Sequence, residues 1–320
     1  MKKILITGVA GFIGFNLANY FLIKKKYKIF GLDNINDYYS TKLKKDRIKI
    51  LKTYNKFKFF KFDLIQKKKL ASIFKNKFDI VIHLAGQAGV RYSINYPEKY
   101  LDSNIIGFFN ILELCRHNKT KKLLYASSSS VYGDLKKFPL DEKEKLNPKN
   151  FYGYSKKNNE EMAKIYSQLY KLNTTGLRFF TVFGQWGRPD MFMMKYLKYL
   201  YIKNSKFHLY NFGNHVRDFT YVDDVIKIIF ALCKKSSKKN YEIYNICSNK
   251  PKKITEIIRL INKYTNKYRS LKKVKLQVGD IHKTHGDNSK IRKNLKNIKF
   301  TKIETGIKKL IKWFKFYYKI

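Results

Sequence analysis

The opening of the chain constrains its fold more than any other stretch, because strand, glycine turn and helix follow one another without a break. An apolar run ends at Thr7, and apolar residues at helical spacing begin after Gly11. Gly8, Gly11 and Gly14 form a G-x-x-G-x-x-G turn between these elements. The first two glycines allow a tight turn and close approach to a pyrophosphate, and the third lets the helix pack closely on the strand. The cofactor-binding residues predicted here are Gly8, Gly11, Phe12, Ile13 and Gly14.

A second strand, Y-K-I-F-G-L-D, ends at Asp33, nineteen residues past Gly14. A carboxylate at this place can accept hydrogen bonds from both ribose hydroxyls of an adenosine. It would repel the extra phosphate of NADP, and no arginine follows it directly. A loop cap is the alternative role for Asp33. We expect NAD rather than NADP, with Asn34 beside the same ribose.

Further strands alternate with helices, which predicts a parallel sheet of the doubly wound, Rossmann type in an α/β fold. The third strand, 57–63, ends at Asp63, whose carboxylate could accept from an adenine amine or cap a helix that starts at Leu64. The fourth strand, 78–86, ends in the small residues Ala85 and Gly86, which let a dinucleotide lie close to the backbone. The remaining predicted cofactor contacts are Asp63, Leu64, Leu84, Ala85, Gly86 and Asn104.

The alternation of strands and helices continues up to about residue 184, and the chain beyond is less regular. We expect a helix over about 97–117, a fifth strand into the serine run at 123–133, and a sixth strand over 174–184. A helix capped by Asp223 or Asp224, one near 254–268 and one near 303–318 follow. The predicted division is a dinucleotide-binding domain over 1–182, to which segments near 215–248 return, and a smaller substrate-binding lobe over 183–320.

Tyr152 and Lys156 are four residues apart at the start of a helical pattern, so they share one helix face. A lysine ammonium a few ångströms from a phenol lowers its pKa from the ordinary value of ~10. Alone, this Y-x-x-x-K spacing is weak, because a half-buried tyrosine beside a solvated lysine is common. The run of four serines at 127–130, about twenty residues earlier, makes the pair a candidate catalytic group.

Cysteine and hydropathy patterns favour a cytoplasmic protein without a membrane segment. Cys115, Cys233 and Cys247 are far apart and lack C-x-x-C spacing, which fits reduced thiols. No apolar run reaches eighteen residues, and the start lacks a signal-peptide pattern. His282 and His285 have no third ligand nearby in sequence, so we expect no metal.

The formal charge of +46 would ordinarily suggest nucleic acid as a partner. The lysines are spread along the chain, however, and other residues with A/T-rich codons are abundant too, so genome composition is a sufficient explanation. No nucleic-acid-binding motif is present. We expect no nucleic-acid partner, and a positive field that attracts an anionic sugar nucleotide and weakens with salt.

The chain resembles the extended short-chain dehydrogenase/reductase family of nucleotide-sugar enzymes over essentially its full length. The motifs are G-V-A-G-F-I-G, L-D-N, H-L-A, S-S-S-S-V-Y-G, Y-G-Y-S-K, L-R-F-F-T-V-F-G and R-D-F-T-Y-V-D-D. Q-A-G-V-R-Y-S at 87–93, the unbroken serine run, F-F-T at 179–181 and W-G-R-P-D-M at 186–191 look most like the UDP-glucuronate 4-epimerases.

This resemblance implies epimerisation through transient oxidation of the sugar at C4. Tyr152 would take the O4 proton while NAD accepts the C4 hydride, and the 4-keto sugar would rotate before both return. Lys156 would hold the nicotinamide ribose and lower the pKa of Tyr152. Ser128 would hydrogen-bond O4.

The serine run separates this chain from other branches of the family. Dehydratases and UDP-glucuronate decarboxylases carry an acidic residue directly before V-Y-G, where this chain has Ser130. A 4-keto uronate loses carbon dioxide when its carboxylate stands perpendicular to the ketone plane, and hydroxyl donors could hold it out of that alignment. A plain small-residue strand end is the alternative. The predicted carboxylate donors are Ser128, Ser129, Ser130 and Thr181.

The resemblance also assigns the remaining substrate contacts. Arg188 and Arg217 match positions that bind the UDP diphosphate, where a forked guanidinium suits two anionic oxygens. Arg91 is placed near the sugar by its motif alone, with a structural salt bridge as the alternative, and Tyr210 is a further predicted substrate contact. Gln185 replaces a family proline, and Gln277 and Val278 replace an Arg-Pro pair that adds a phosphate contact in neutral-sugar epimerases.

Three other functions stay open at this point. A 4-epimerase of UDP-glucose or UDP-N-acetylglucosamine would differ only at C6, and a UDP-glucuronate decarboxylase would need the missing acid. A non-catalytic dinucleotide-binding protein that docks on a partner would not need Ser128, Tyr152 and Lys156 together. The family further implies a homodimer through the helices near 97–117 and 151–170.

Overall fold

The protein's structure, a computed structural model, describes residues 1–235, 239–277 and 279–320. Its centre is a sheet of seven strands that pair in parallel, in the spatial order β3-β2-β1-β4-β5-β6-β10. The strands are β1 Lys2–Thr7, β2 Tyr27–Asp33, β3 Phe57–Lys61, β4 Ile80–His83, β5 Lys122–Ser128, β6 Thr174–Phe179, β7 Thr181–Phe183, β8 His208–Tyr210, β9 Val216–Tyr221, β10 Tyr241–Ile246, β11 Pro251–Lys253 and β12 Lys272–Val274. The predicted doubly wound α/β fold is confirmed.

Helices cover both faces of this sheet because successive strand residues point to opposite sides. In β1, Ile4 and Ile6 belong to one apolar core and Leu5 to the other. The helices are α1 Phe12–Ile23, α2 Thr41–Lys52, α3 Lys67–Phe74, α4 Tyr92–Asn95, α5 Glu98–Tyr100, α6 Gly107–His117, α7 Phe151–Tyr170, α8 Phe192–Tyr201, α9 Val222–Lys234, α10 Ile254–Thr265, α11 Ser289–Asn294 and α12 Ile303–Tyr318.

The order of the strands reverses beside β1. The chain builds outward through β2 and β3, then returns to place β4 on the other side of β1. Adjacent loops therefore diverge at the carboxyl ends of β1 and β4 and leave a crevice, which is where open α/β sheets bind ligands.

The sixth strand is shorter than predicted. β6 ends at Phe179, and after Phe180 the chain enters a separate three-stranded sheet of order β11-β9-β7. The prediction of one strand over 174–184 was wrong because its apolar run spans two strands of different sheets. β8 and β12 form a third, two-stranded sheet, while β10 returns to the edge of the main sheet.

The predicted single helix over 97–117 is interrupted. α4 and α5 are short, a π-helical turn spans Leu101–Ile106, and only then does α6 run as a regular helix. π-helical turns inside helices are frequent at functional sites, and this one carries Asn104.

The helix predicted near Asp223 starts at Val222, and its N-cap residue Tyr221 makes no side-chain cap. The two aspartates lie in the first turn instead. Asp224 accepts hydrogen bonds from the Thr301 amide at 2.7 Å and hydroxyl at 2.8 Å, so it ties α9 to the segment before α12.

The C-terminal helix α12 matches the predicted range 303–318. Within the described part of the chain, none of the helices combines the length and apolar character needed to cross a membrane.

Candidate functional site

A cavity of about 400 Å³ opens at the strand-order reversal, above the carboxyl ends of the parallel strands. We call it the inner pocket. Most of the residues predicted for cofactor and catalysis line it together, although they come from separate parts of the chain. These residues are Gly8, Gly11, Phe12, Ile13, Gly14, Asp33, Asn34, Asp63, Leu64, Leu84, Ala85, Gly86, Ser128, Ser129, Ser130, Tyr152, Lys156, Thr181 and Arg188.

The glycine turn lies against the backbone of β1 and of the β4 loop. Gly8 has φ +70, and a Cβ there would lie 2.6 Å from the Ala85 amide nitrogen. A Cβ on Gly14 would lie 2.1 Å from the Gly8 carbonyl oxygen, so both positions require glycine. The turn leaves the N-terminus of α1 open to the pocket, which suits a pyrophosphate. These residues fit NAD.

Asp33 is held in place at the end of β2. Its Oδ2 accepts from the Ala10 amide at 3.0 Å and its Oδ1 from the Ile35 amide at 2.8 Å. Burial raises the pKa of Asp33, while these amides and the charges of Lys44 and Arg47 act in the opposite direction. The two amides thus fix the orientation of the carboxylate in the ligand-free protein.

Asp63 caps no helix at Leu64, because α3 starts only at Lys67. Its Oδ2 accepts from the Asn34 side chain at 2.6 Å and its Oδ1 from the Ile65 amide at 3.2 Å. Asn34 and Asp63 therefore form one wall of the pocket beyond Asp33.

Lys44 is a pocket residue that the sequence did not predict. It projects from α2, and its Nζ donates to the carbonyl of Asn36 at 2.7 Å and to the side-chain oxygen of Asn36 at 2.5 Å. Burial lowers the pKa of Lys44 to about 8, against the attraction of Asp33. No motif marks this lysine among the chain's many, so only its burial beside Asp33 identifies it.

The catalytic candidates come from two neighbouring elements. Ser128 is the last residue of β5, and its hydroxyl accepts from the Ser130 amide at 3.1 Å as the chain turns. Tyr152 and Lys156 stand one turn apart on α7, whose start is capped by the Asn150 side chain accepting from the Gly153 amide at 2.9 Å. The cap fixes where α7 begins and hence the direction in which Tyr152 points.

The electrostatics of this group differ from expectation. Burial raises the pKa of Tyr152, while its hydrogen-bond contact with the Ser128 hydroxyl and the charge of Arg188 lower it. Lys156 is not among these influences in the ligand-free protein, so the lowering expected from Lys156 stays a prediction. Burial lowers the pKa of Lys156 itself to about 8, because an ammonium loses its hydration in the pocket floor.

Asn104 lies behind the pocket wall. Its side-chain oxygen accepts from the Gln87 amide at 2.7 Å, and its amide donates to the Gln87 carbonyl and the Ser155 hydroxyl, both at 3.0 Å. The π-helical turn thus clamps the β4 loop to α7. A cofactor contact by Asn104 stays a prediction.

Arg188 lies inside the pocket, at the catalytic end. It forms a two-point ion pair with Asp190, at 3.1 Å from Nε to Oδ1 and 2.6 Å from Nη2 to Oδ2. The Tyr38 hydroxyl donates to the same carboxylate at 3.2 Å. A cation held this way presents positive charge to Tyr152.

Arg91, Tyr210 and Arg217 lie together outside the inner pocket, with Asp280 and His215; we call these five residues the outer cluster. Arg91 pairs with Asp280 at 2.6 Å, as the alternative interpretation expected, and its guanidinium stacks 4.1 Å from the centre of the Tyr210 ring. Arg217 donates to the carbonyls of Ile281 at 2.6 Å and His282 at 3.0 Å. Arg217 therefore does not line the inner pocket with Arg188.

The two departures from the family pattern have different outcomes. The Gln185 side chain accepts from the Tyr221 hydroxyl at 2.6 Å, and the Asn16 amide donates to its carbonyl at 3.3 Å, so this glutamine fastens the loop to β9 and α1. The side-chain oxygen of Gln277 is buried and accepts no hydrogen bond from the part of the chain that the structure describes. Val278 lies outside the described residues.

A parallel sheet with a glycine turn at its reversal point, a carboxylate at the end of the second strand and a Ser-Tyr-Lys group defines a dinucleotide-dependent enzyme of the short-chain dehydrogenase/reductase class. Residues 4–247 match the sequence profile of the NAD dependent epimerase/dehydratase family. The chain belongs to this family.

Similar proteins share nearly its full length. Protein CapI of Staphylococcus aureus is 42% identical, and the alignment covers 99% of both chains. The UDP-glucuronate 4-epimerase of Thermodesulfobacterium geofontis is 37% identical over 98% of this chain and 97% of its own. The crystal structure of UDP-glucuronic acid 4-epimerase from Bacillus cereus, in complex with UDP-glucuronic acid and NAD, superposes with a TM-score of 0.92 at 30% identity, covering 99% of this chain and 100% of that one.

Proposed function

We propose that this protein is an NAD-dependent isomerase that interconverts UDP-glucuronate and UDP-galacturonate at C4. The observation that carries the proposal is the intact group of Ser128, Tyr152 and Lys156, which lines the inner pocket. The chain turn that follows Ser128 offers serine hydroxyls to this pocket and no acidic side chain. The similarity to UDP-glucuronate 4-epimerases over the whole chain supports it.

Tyr152 is the proposed base and acid. It takes the proton from O4 as C4 is oxidised, and returns that proton to O4 after the 4-keto ring has rotated. NAD held by the glycine turn and Asp33 would supply the acceptor and donor of the C4 hydride. Ser128 holds O4 by a hydrogen bond, and Lys156 holds the nicotinamide ribose. Proton and hydride both return to the sugar, so one turnover consumes neither.

The proton transfer needs a phenol that ionises more easily than the ligand-free pocket allows. Arg188 already acts in that direction on the pKa of Tyr152, and the buried Lys156 ammonium adds positive charge once Tyr152 becomes negative. Because burial lowers the pKa of Lys156 to about 8, the lysine is protonated at neutral pH but loses its proton in mildly alkaline solution.

The serine run is the proposed carboxylate cradle. Ser128 accepts from the Ser130 amide while its hydroxyl donates to the Ser130 hydroxyl at 3.2 Å, so the hydroxyls of Ser128 and Ser130 are connected, and Ser129 lines the pocket between them in sequence. Thr181 lines the same pocket from β7. Hydrogen bonds from Ser129, Ser130 and Thr181 would keep the uronate carboxylate away from the perpendicular orientation that favours loss of carbon dioxide.

Two regions supply the proposed anion contacts. Arg188 serves the catalytic end of the pocket, whereas Arg217 and Tyr210 of the outer cluster serve the UDP portion, with Arg91 held by Asp280 beside them. Arg217 remains charged at neutral pH even though burial lowers its pKa to about 10, and its guanidinium is fixed by backbone carbonyls rather than by a carboxylate.

The test is turnover of purified protein with UDP-glucuronate, UDP-glucose and UDP-N-acetylglucosamine, with products identified by chromatography and mass. UDP-galacturonate formed from the first substrate alone would support the proposal. A UDP-pentose product would show that the serine cradle fails to prevent decarboxylation. Turnover of neutral sugars only would make the protein a neutral-sugar 4-epimerase.

A homodimer through α6 and α7 is part of the proposal. Large apolar side chains stand exposed on this side of the molecule, although such residues are usually buried. They are Ile94, Leu101, Ile106, Phe109, Tyr154, Ile165, Leu169 and Tyr170. A second copy that contributes the same two helices would cover them, as a two-fold axis requires.

Sedimentation velocity tests the dimer. The wild-type protein should sediment as a dimer, and Leu169→Glu, at a residue that is 65% exposed, should shift it to monomer. Ile23→Glu, at a residue 56% exposed at the end of α1, is the matched control. A wild-type monomer at micromolar concentration would contradict the proposal.

We further propose a cytoplasmic location for this protein and the supply of UDP-galacturonate for polysaccharide synthesis. Both fit an anionic nucleotide-sugar product.

A further inference from the structure

A buried polar row lies next to the serine run, across three strands of the main sheet. The strand register places Ser127 of β5 beside Arg178 of β6, and Arg178 beside Asn245 of β10. Their exposed fractions are 1%, 4% and 0%. Residues in register on parallel strands point to the same face, and here that face is covered by α7.

Glu160 of α7 joins this row to the catalytic helix. Its Oε1 accepts from the Ser127 hydroxyl at 2.5 Å and from Arg178 Nε at 2.8 Å, and its Oε2 accepts from Arg178 Nη2 at 2.7 Å. Arg178 Nη1 also donates to the Tyr132 hydroxyl at 2.9 Å, which in turn donates to Asn245 at 2.6 Å. Glu160 and Arg178 side chains are each 4% exposed.

The place of Glu160 in the chain gives this ion pair its significance. Glu160 follows Lys156 by one helical turn and Tyr152 by two, on the same stripe of α7. Its partner Ser127 directly precedes Ser128. Apolar packing between a helix and a sheet is non-directional, whereas a two-point guanidinium–carboxylate contact fixes both distance and angle.

We infer that Glu160 is a positioning residue for the reaction, which acts by fixing the end of β5 against α7 and so fixing Ser128 relative to Tyr152 and Lys156. Glu160 does not touch the inner pocket; with Arg178 it lines a second cavity on the other side of this contact. The inference rests on the proposed function, because it concerns the same catalytic group. Misplacement of such groups by about 1 Å lowers rates by roughly a hundredfold.

The experiment compares Glu160→Gln with Glu161→Gln. Glu161 is the next residue on α7, and its side chain is 60% exposed and 3.8 Å from Lys157, so both variants remove one negative charge from the same turn. We expect kcat to fall roughly 30- to 100-fold in Glu160→Gln, with KM for UDP-glucuronate changed less than about threefold. Glu161→Gln should keep both constants within about twofold.

A double variant, Glu160→Gln with Arg178→Met, separates positioning from stability. Removing one partner leaves a buried charge unpaired, and removing both relieves that cost. The double variant should therefore regain thermal stability relative to Glu160→Gln while its kcat stays low. Recovery of kcat together with stability would overturn the inference and leave the pair a structural role only.

The pH profile of kcat gives a second readout. Tyr152 faces Ser128 from β5, Lys156 from its own helix, Arg188 from the loop before α8, and the phenols of Tyr38 and Tyr100. Because the Ser128 hydrogen bond lowers the pKa of Tyr152, displacing Ser128 should move the acidic limb to higher pH in Glu160→Gln. An unchanged limb and an unchanged kcat in folded Glu160→Gln would overturn the inference.

The wild-type control distinguishes this inference from the proposed function. If the wild type turns over only neutral UDP-sugars, the proposed substrate is wrong, and the same variant ratios measured with the neutral sugar still test Glu160. A folded, NAD-binding wild type without turnover on any of the three sugars would overturn both.

Discussion

The inner pocket and the outer cluster both contain cationic and tyrosine side chains, but the cations differ in how deeply they are buried and in how they are paired. In the inner pocket Lys156 is 4% exposed, and burial lowers its pKa to about 8. In the outer cluster the Arg91 side chain is 42% exposed and pairs with Asp280. Burial brings the protonation equilibrium of Lys156 toward neutral pH and moves that of Tyr152 to higher pH, so the proton-transfer groups respond to what is packed around them. A guanidinium fork near the surface is suited to hold an anion. Changes in the inner pocket should therefore act on kcat and changes in the outer cluster on KM.

The largest effect is expected from Tyr152→Phe, which removes the proton acceptor and keeps the ring. Turnover of UDP-glucuronate should fall by roughly a thousandfold or more, since general acid–base groups contribute about 10²- to 10⁴-fold. Calorimetric NAD binding should stay within about threefold of wild type. Tyr154→Phe, at a 49% exposed residue on the same helix, is the control. A residual rate within tenfold of wild type would contradict the assignment.

Lys156→Met tests the charge state of the pocket floor through stability as well as rate. The pKa of Lys156 is lowered from 10.5 to about 8 by burial. The unfolded chain therefore binds more protons between these values, and the stability of the wild type rises with pH through that window. Below pH 8 the burial cost of the ammonium is fully present.

We thus expect the cofactor-free Lys156→Met protein to melt about 5 °C higher than wild type at pH 7. The gap should shrink between pH 8 and 10.5, and turnover should fall at least about a hundredfold. Calorimetric melting over this pH range measures it, with Lys157→Met, whose side chain is 33% exposed, as control. A gap that grows with pH would show that Lys156 is not buried as a cation.

Arg217→Met should raise the KM for UDP-glucuronate about 10- to 100-fold and leave kcat within about threefold, because a charge-assisted contact to an anion is lost in ground and transition state alike. Arg217→Lys should lose most of the same affinity, since one ammonium cannot reproduce the fork. Steady-state kinetics at two salt concentrations measures both. A selective loss of kcat would place Arg217 with the catalytic group instead.

Arg91→Met should have the smallest effect, a KM increase of about threefold or less. The reason is that the Arg91 guanidinium already forms an ion pair with the partly exposed Asp280. The double variant Arg91→Met with Asp280→Asn should be no worse than the single one if the pair is structural. An increase in KM as large as that of Arg217→Met would make Arg91 a direct substrate contact.

Features that depend on local spacing could be predicted from the sequence. The turn at Gly8, the end of β2 at Asp33, the start of α7 near Tyr152 and the helix over 303–318 were each indicated by a short local pattern. Glycine dihedral freedom, side-chain caps and helical periodicity act at that range. The predicted lengths failed where one apolar run served two elements, as at Phe180.

The tertiary structure alone decided which charges meet and how deeply they are buried. Arg91 pairs with Asp280, which is 189 positions away in the chain, and Ser127 donates a hydrogen bond to Glu160, 33 positions away. Lys44 becomes a pocket residue because α2 packs beside Asp33. The sequence determined that Tyr152 and Lys156 share a helix face, but not that burial raises the pKa of one and lowers that of the other. Desolvation depends on everything packed around a group, and no local pattern records it.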